Sequence, residues 1–192
     1  MSKSLATIGV TRGKILNVLL YQAGWFACVI GAAQGYWLAG PCVALLLVAA
    51  HLLLVPATAS ELKLLACSGL IGFALDSLHQ WSGTLDFAGA WPDGRLAPFW
   101  IVVMWVQFAT MIHYALSWLS GKYLLSAVLG AIGGPLAYWG GVRIGAADFP
   151  PSLWFSLAAL GVGWAVAMPA LVWLGDRFVS PTRTGYYRLP FR

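Results

Sequence analysis

The chain has 192 residues, of which 60% are hydrophobic and only 9% charged, with a formal charge of +5 and a mean hydropathy of +0.80. Such a composition excludes a water-soluble domain, because the polar residues are too few to clothe a globule. It excludes a nucleic-acid partner as well, since the basic residues stand singly between apolar runs and build no basic face.

A bilayer crossing needs about 20 apolar residues, so the chain is long enough for six transmembrane helices packed as one all-α bundle. The first segment carries Lys3, Arg12 and Lys14 ahead of an apolar run, as a signal peptide would. Its cleavage motif at Gly31-Ala32-Ala33 is weak, so it reads as an uncleaved span over about residues 15–33. Gly and Pro punctuate Gln34 to Pro41, and a second span follows at about residues 41–58. The third, about residues 63–81, is the least regular, because the uncharged run Leu64 to Leu75 is short and Asp76 follows it. Three more spans are expected at about residues 98–119, 124–142 and 153–174.

Charge decides the doubtful third crossing. With six spans and both termini cytoplasmic, Lys3, Arg12, Lys14, Lys63, Lys122, Arg177, Arg183, Arg188 and Arg192 lie inside and only Arg95 and Arg143 outside, as basic bias requires. Without that crossing the bias vanishes. The same arrangement puts Trp37, Trp81, Trp91, Trp100, Trp139 and Trp154 near the outer interface and Trp118 and Trp173 near the inner one. Only Trp25, Trp105 and Trp164 fall deep.

Small residues at four-residue spacing let membrane helices approach closely, which marks Gly130 and Gly134, and Ala159, Gly163 and Ala167, as packing positions. Pro135 and Pro169 are expected to bend their helices. Cys28, Cys42 and Cys67 show no close pair spacing and read as small buried residues, with neither a disulfide nor a metal site expected. No cofactor is expected either. The outer connection, His79 to Pro98, mixes Trp81, Phe87 and Trp91 with Asp86, Asp93 and Arg95; it reads as a tryptophan-anchored link with a turn at Pro92-Asp93-Gly94, or as a cover over Asp76. The tail after Asp176, rich in arginine and aromatics, suits orientation or contact with anionic headgroups.

An ionisable residue within a span is a functional candidate, because facing lipid costs several kcal/mol. Asp76 is therefore the centre of the candidate polar site, with His79 and Gln80 on the same side of its helix at i+3 and i+4. Counting the helical rise puts Gln107 at a similar depth and makes it the expected partner of Asp76. His51, about midway along the second span, and Gln22 with His113, at similar depth nearer the cytoplasm, form a secondary set, a sparse polar path if they stack. For each histidine, a neutral ring satisfied by one neighbouring helix competes with a ligand or proton-relay role. No catalytic residue is legible.

The segments "LLYQAGWFACVIGAA", "GFALDSL", "PFWIVVMWVQFA", "ALSWL" and "GGPLAYWGGVRIGAADF" resemble the family known as domain of unknown function 2878, small bacterial inner-membrane proteins. The resemblance covers nearly the whole chain, most specifically in Gly-Pro-Leu-Ala-Tyr with the following Arg-Ile-Gly-Ala, and in Gly-x-x-x-Asp of the third span. It implies a multi-pass bacterial inner-membrane protein, encoded in the company of lipid-modifying enzymes, and it brings no catalytic residues. Three functions stay open: a factor or enzyme handling a lipid or other apolar small molecule, a structural or assembly subunit contacting other membrane proteins, and a small proton-coupled transporter. The missing internal repeat counts against the last.

Overall fold

The structure is a computed structural model and describes residues 2–55, 58–90 and 94–178. Trp91, the expected turn at Pro92-Asp93 and the tail beyond Phe178 lie outside the described residues. The chain is all-helical, with α1 (Ser2–Ala33), α2 (Ala39–Leu54), α3 (Thr58–Trp81), α4 (Phe99–Ala109), α5 (Tyr123–Ile144) and α6 (Leu153–Phe178). Two short strands, β1 (Asp86–Phe87) and β2 (Ala147–Asp148), pair antiparallel, with Asp86 opposite Asp148. Stretches of α1, α3, α5 and α6 are long and apolar enough to cross a membrane, whereas α2 and α4 are shorter.

Local chemistry moves several boundaries. No proline interrupts residues 2–33, so the basic N-terminal segment continues the helix instead of preceding it. Pro56 forces Val55 into extended backbone (φ −84°, ψ 144°), and α2 ends at Leu54. The chain re-enters a helix at Thr58, which brings Glu61 into the first turn of α3.

The largest departure is in the fourth segment. A helix running to Leu119 is expected from the apolar run, yet α4 stops at Ala109 and gives way to turns and a 3-10 turn at Ser117–Leu119. The hydrogen bonds tighten there to the i−3 pattern, as in Met111 N to Phe108 O, 2.9 Å, and Ile112 N to Ala109 O, 3.1 Å. Thr110 Oγ1 donates to Gln107 O at 2.7 Å and competes for a helical carbonyl. Irregular backbone among apolar helices persists only if its freed polar groups are met. Asn17 of α1 meets two of them: Nδ2 donates to Thr110 O at 3.1 Å, and Ala115 N donates to Oδ1 at 3.2 Å. Asn17→Ala should therefore lower stability by about 1–3 kcal/mol, the cost of leaving such groups unsatisfied, read as an earlier unfolding midpoint in detergent.

Within the bundle α4 packs against α1, α2 and α3, and α5 packs along α6. One face of α3 explains the first of these contacts. Ser68, Gly72, Asp76 and Gln80 recur every four residues and are all buried. Ser68 Oγ donates to Trp105 O at 2.7 Å, and a Cβ on Gly72 would run into the Trp105 indole, so the missing side chain is what admits that ring. On α5, Gly130 and Gly134 do the same for Trp164 and Met168 of α6. Gly161 faces Ala131 and Pro135, and Gly163 faces Leu75 and His79. Outward, Leu46, Leu53, Leu124, Trp154 and Val162 are exposed, giving an apolar exterior. Trp37, Trp81, Trp139, Trp118 and Trp173 are exposed as well, but Trp100 is buried and donates Nε1 to Ala88 O at 2.8 Å. Of the cysteines only Cys28 is buried; Cys67 is half-buried, and Cys42 faces outward from α2.

Candidate functional site

Asp76 is completely buried and accepts hydrogen bonds from two aromatic side chains on different helices. Trp105 Nε1 of α4 donates to Oδ2 at 2.7 Å, and the Tyr138 hydroxyl of α5 reaches Oδ1 at 2.7 Å and Oδ2 at 2.8 Å. Around them the Trp105 and Trp164 rings stack at 4.3 Å between centroids, with Tyr138 and Phe108 edge-on to Trp164. The carboxyl thus ties three helices together.

The expected partner of Asp76, Gln107, is not its partner. It lies at a similar level of α4 but turns toward α1, where Nε2 donates to Leu20 O at 2.9 Å. Glycine decides the direction, because a Cβ on Gly24 would occupy the space that the Gln107 amide fills. Gln80 and His79 do not bond Asp76 either. Gln80 holds the connection between α3 and α4: Nε2 donates to Asp86 Oδ1 (3.1 Å) and Gly94 O (2.9 Å), while Phe87 N donates to Oε1 (2.8 Å). Phe87 in turn packs on Tyr138 at 6.2 Å, so the connection does reach the Asp76 cluster. His79 is buried against Gly163 of α6, and its Nε2 makes no hydrogen bond among the described residues.

A second buried cluster lies at the opposite end of α3 around Glu61, which falls between the spans expected at residues 41–58 and 63–81. Glu61 Oε1 lies 2.7 Å from His113 Nδ1, and Oε2 lies 3.6 Å from His51 Nε2. His113 Nε2 faces the Gly175 carbonyl of α6 at 3.1 Å and must donate to it, since a carbonyl only accepts. The short contact to Glu61 then holds one shared proton, with either an imidazolium on a carboxylate or a neutral ring accepting from a carboxylic acid. Both forms leave the pair without net charge, which is how a buried carboxyl is tolerated. His51 and His113 thus meet through Glu61, whereas Gln22 stays apart from them. The available signal for Glu61 was the proline at residue 56, which ends α2 early enough for α3 to begin before the acid.

A groove of about 750 Å³ runs between α1 and α5, floored by α4 and α6, from Trp118 at one end to Ala147 at the other. Its lining is aromatic and aliphatic, with Trp25 and Phe26 on one wall and a smooth strip at Gly133, Ala137 and Gly141 on the other. Trp105 and Tyr138, the two groups bonded to Asp76, belong to it, and so does Gln22. A volume in the range of roughly 300–1,000 Å³ with few polar groups is the usual form of a small-molecule site.

No curated protein and no solved structure matches this chain. Gly72 beneath Trp105, Tyr138 after Gly134-Pro135, and the left-handed Gly145 (φ 96°) that turns α5 into β2 all lie inside one matched stretch. With residues 14–170 matched, the chain belongs to the family described as protein of unknown function, domain of unknown function 2878.

Proposed function

We propose that the protein is a membrane-embedded factor that holds a lipid or other apolar small molecule in the groove between α1 and α5, with Asp76 supporting the groove wall through Tyr138 and Trp105. In this reading the chain crosses a bacterial inner membrane six times with both ends cytoplasmic, the broken fourth segment included. Charge supports the orientation, because nine of eleven basic residues then lie inside. The observation that carries the function is the groove itself: about 750 Å³ of apolar space, reachable from the side of the bundle because α1 and α5 touch only sparingly. Membrane lipids are its natural source of ligand. No step of chemistry is assigned.

The glycine strip supplies the test. A Cβ on Gly133 would meet nothing within 4 Å, so Gly133→Leu starts in open space and directs its side chain from the groove wall. Replacing a helical glycine also favours the helix. Stability should hold or rise, while cross-linking of a photoreactive apolar probe falls about tenfold, the equivalent of roughly 1.4 kcal/mol of lost contact. Unchanged cross-linking with an unchanged melting curve would favour the structural-subunit reading.

A further inference from the structure

Building on the groove as a binding site, we infer that its occupant is an acidic amphiphile seated with its chain toward β2 and its anionic head at the Trp118 end, beside Lys122. The shape of the groove is the first support. At the β2 end its walls converge, because a Cβ on Gly145 would lie 3.8 Å from Ala33 Cβ and one on Gly140 would lie 3.5 Å from the Trp25 ring. Seven residues back along α5, about two turns, a Cβ on Gly133 would meet nothing within 4 Å. The groove is therefore a wedge.

Exposure follows the same gradient. Phe87, Trp100 and Ala147, which line the converging end, are 3%, 3% and 7% exposed, whereas Leu129 and Trp118 toward the other end are 38% and 46% exposed. Hydrogen bonds pin the converging end shut: Trp100 Nε1 donates to Ala88 O at 2.8 Å, Ala88 N donates to Ala146 O at 3.0 Å, and Ser156 Oγ of α6 donates to Thr84 O at 2.7 Å. A ligand enters from the open end. The stretch of α5 that borders the groove, Leu129 to Gly141, measures about 18 Å, against about 15 Å for half of the hydrocarbon core, so the chain of a lipid from one leaflet fills it.

Charge places the head. The lining has no lysine, arginine, histidine, aspartate or glutamate, and an ionised group inside it would lack a counter-charge. At the open end the chemistry changes. Lys122 is exposed, with Nζ over the Trp118 ring at 5.7 Å from its centroid, and Lys14 borders a small hollow at Ala115, the residue before Leu116 of the groove lining. Neither lysine forms an ion pair among the described residues. Asp176 of α6, the acid that faces this loop, is already engaged: Ser120 Oγ donates to Oδ1 at 2.6 Å, and Gly121 N and the Tyr123 hydroxyl each donate to Oδ2 at 3.0 Å. A chain leaving the groove past Trp118 thus meets lysine, and a carboxylate or phosphate head is attracted there.

The test uses alkyne-tagged probes of one chain length with a carboxylate, a phosphate or a trimethylammonium head, each made with the photoreactive group at the chain end or next to the head, and the full protein in phosphatidylcholine vesicles. With either acidic head, the chain-end group should label peptides carrying Phe87, Tyr138 and Ala147, and the head-side group peptides within residues 111–129. The opposite pattern overturns the seating. Acidic probes should label about fivefold more than the cationic one, the effect of about one basic residue near a headgroup, and Lys122→Gln should remove most of that excess while leaving the cationic probe unchanged. Equal labelling by the cationic probe, or indifference of the acidic probes to Lys122→Gln, overturns the anionic head. A preference for phosphate over carboxylate supports a phospholipid as the source, and the reverse supports a fatty acid. Gly133→Leu separates all this from failure of the binding reading: if it lowers every probe while the seating is reversed, the groove binds and only this inference falls, and if it lowers none the groove is not a site.

Discussion

Replacing Glu61 by alanine should be the most damaging single substitution in the described bundle, lowering stability by about 3–5 kcal/mol, the usual cost of removing one member of a buried pair. Glu61 is 2% exposed, and its removal leaves His113 Nδ1 without its 2.7 Å partner and His51 facing an empty space. Because His113 must go on donating Nε2 to Gly175, the proton shared with Glu61 has no other place to rest. Glu61→Gln should cost far less, about 1 kcal/mol, since its amide can donate to a neutral His113 Nδ1. Denaturation in mixed micelles measures both. Equal losses for alanine and glutamine would mean that charge, rather than the hydrogen bond, holds α3 to the broken fourth segment.

Asp76→Leu should come next. It orphans two buried donors, Trp105 Nε1 and the Tyr138 hydroxyl, each worth about 1–3 kcal/mol when left unpaired, for a total of about 2–4 kcal/mol after relaxation. Asp76→Asn retains an acceptor for one donor and can itself donate to the Tyr138 oxygen, so it should stay within about 1 kcal/mol of the parent. The pair of variants separates two roles by comparing the melting curve with probe cross-linking. If asparagine preserves both, the hydrogen bonds suffice; if it preserves stability but abolishes a cellular function, the titrating proton of Asp76 matters in itself. A leucine variant as stable as the parent would remove Asp76 from the architecture altogether.

Much of this was open to reading in the linear chain. Asp76 stood out because a carboxyl inside an apolar run has few tolerable surroundings, and Gly130, Gly134 and Gly163 stood out because only small residues let helices touch in lipid. What failed was partner choice. Depth along a helix gave Gln107 the right level, but direction around the axis depends on which neighbour leaves room, and Gly24 and Gly72 made room on opposite sides of α4 for Gln107 and Trp105. Tryptophan and tyrosine carry an N–H or O–H on a largely apolar ring, so hydropathy alone does not mark Trp105 and Tyr138 as partners for a buried acid.

The amino-acid order alone determined that the chain must be helical, apolar on its outside and economical in charge, because composition and run length constrain those properties without reference to any contact. It also singled out Asp76, since the penalty for a buried acid is local. Only the folded bundle decided where α4 ends, that Glu61 joins His51 to His113, and that α1 and α5 stand apart around a groove. Those outcomes depend on backbone groups and side chains brought together across long sequence separations, Asn17 with Thr110 and Asp76 with Tyr138, and no periodicity within one helix encodes them.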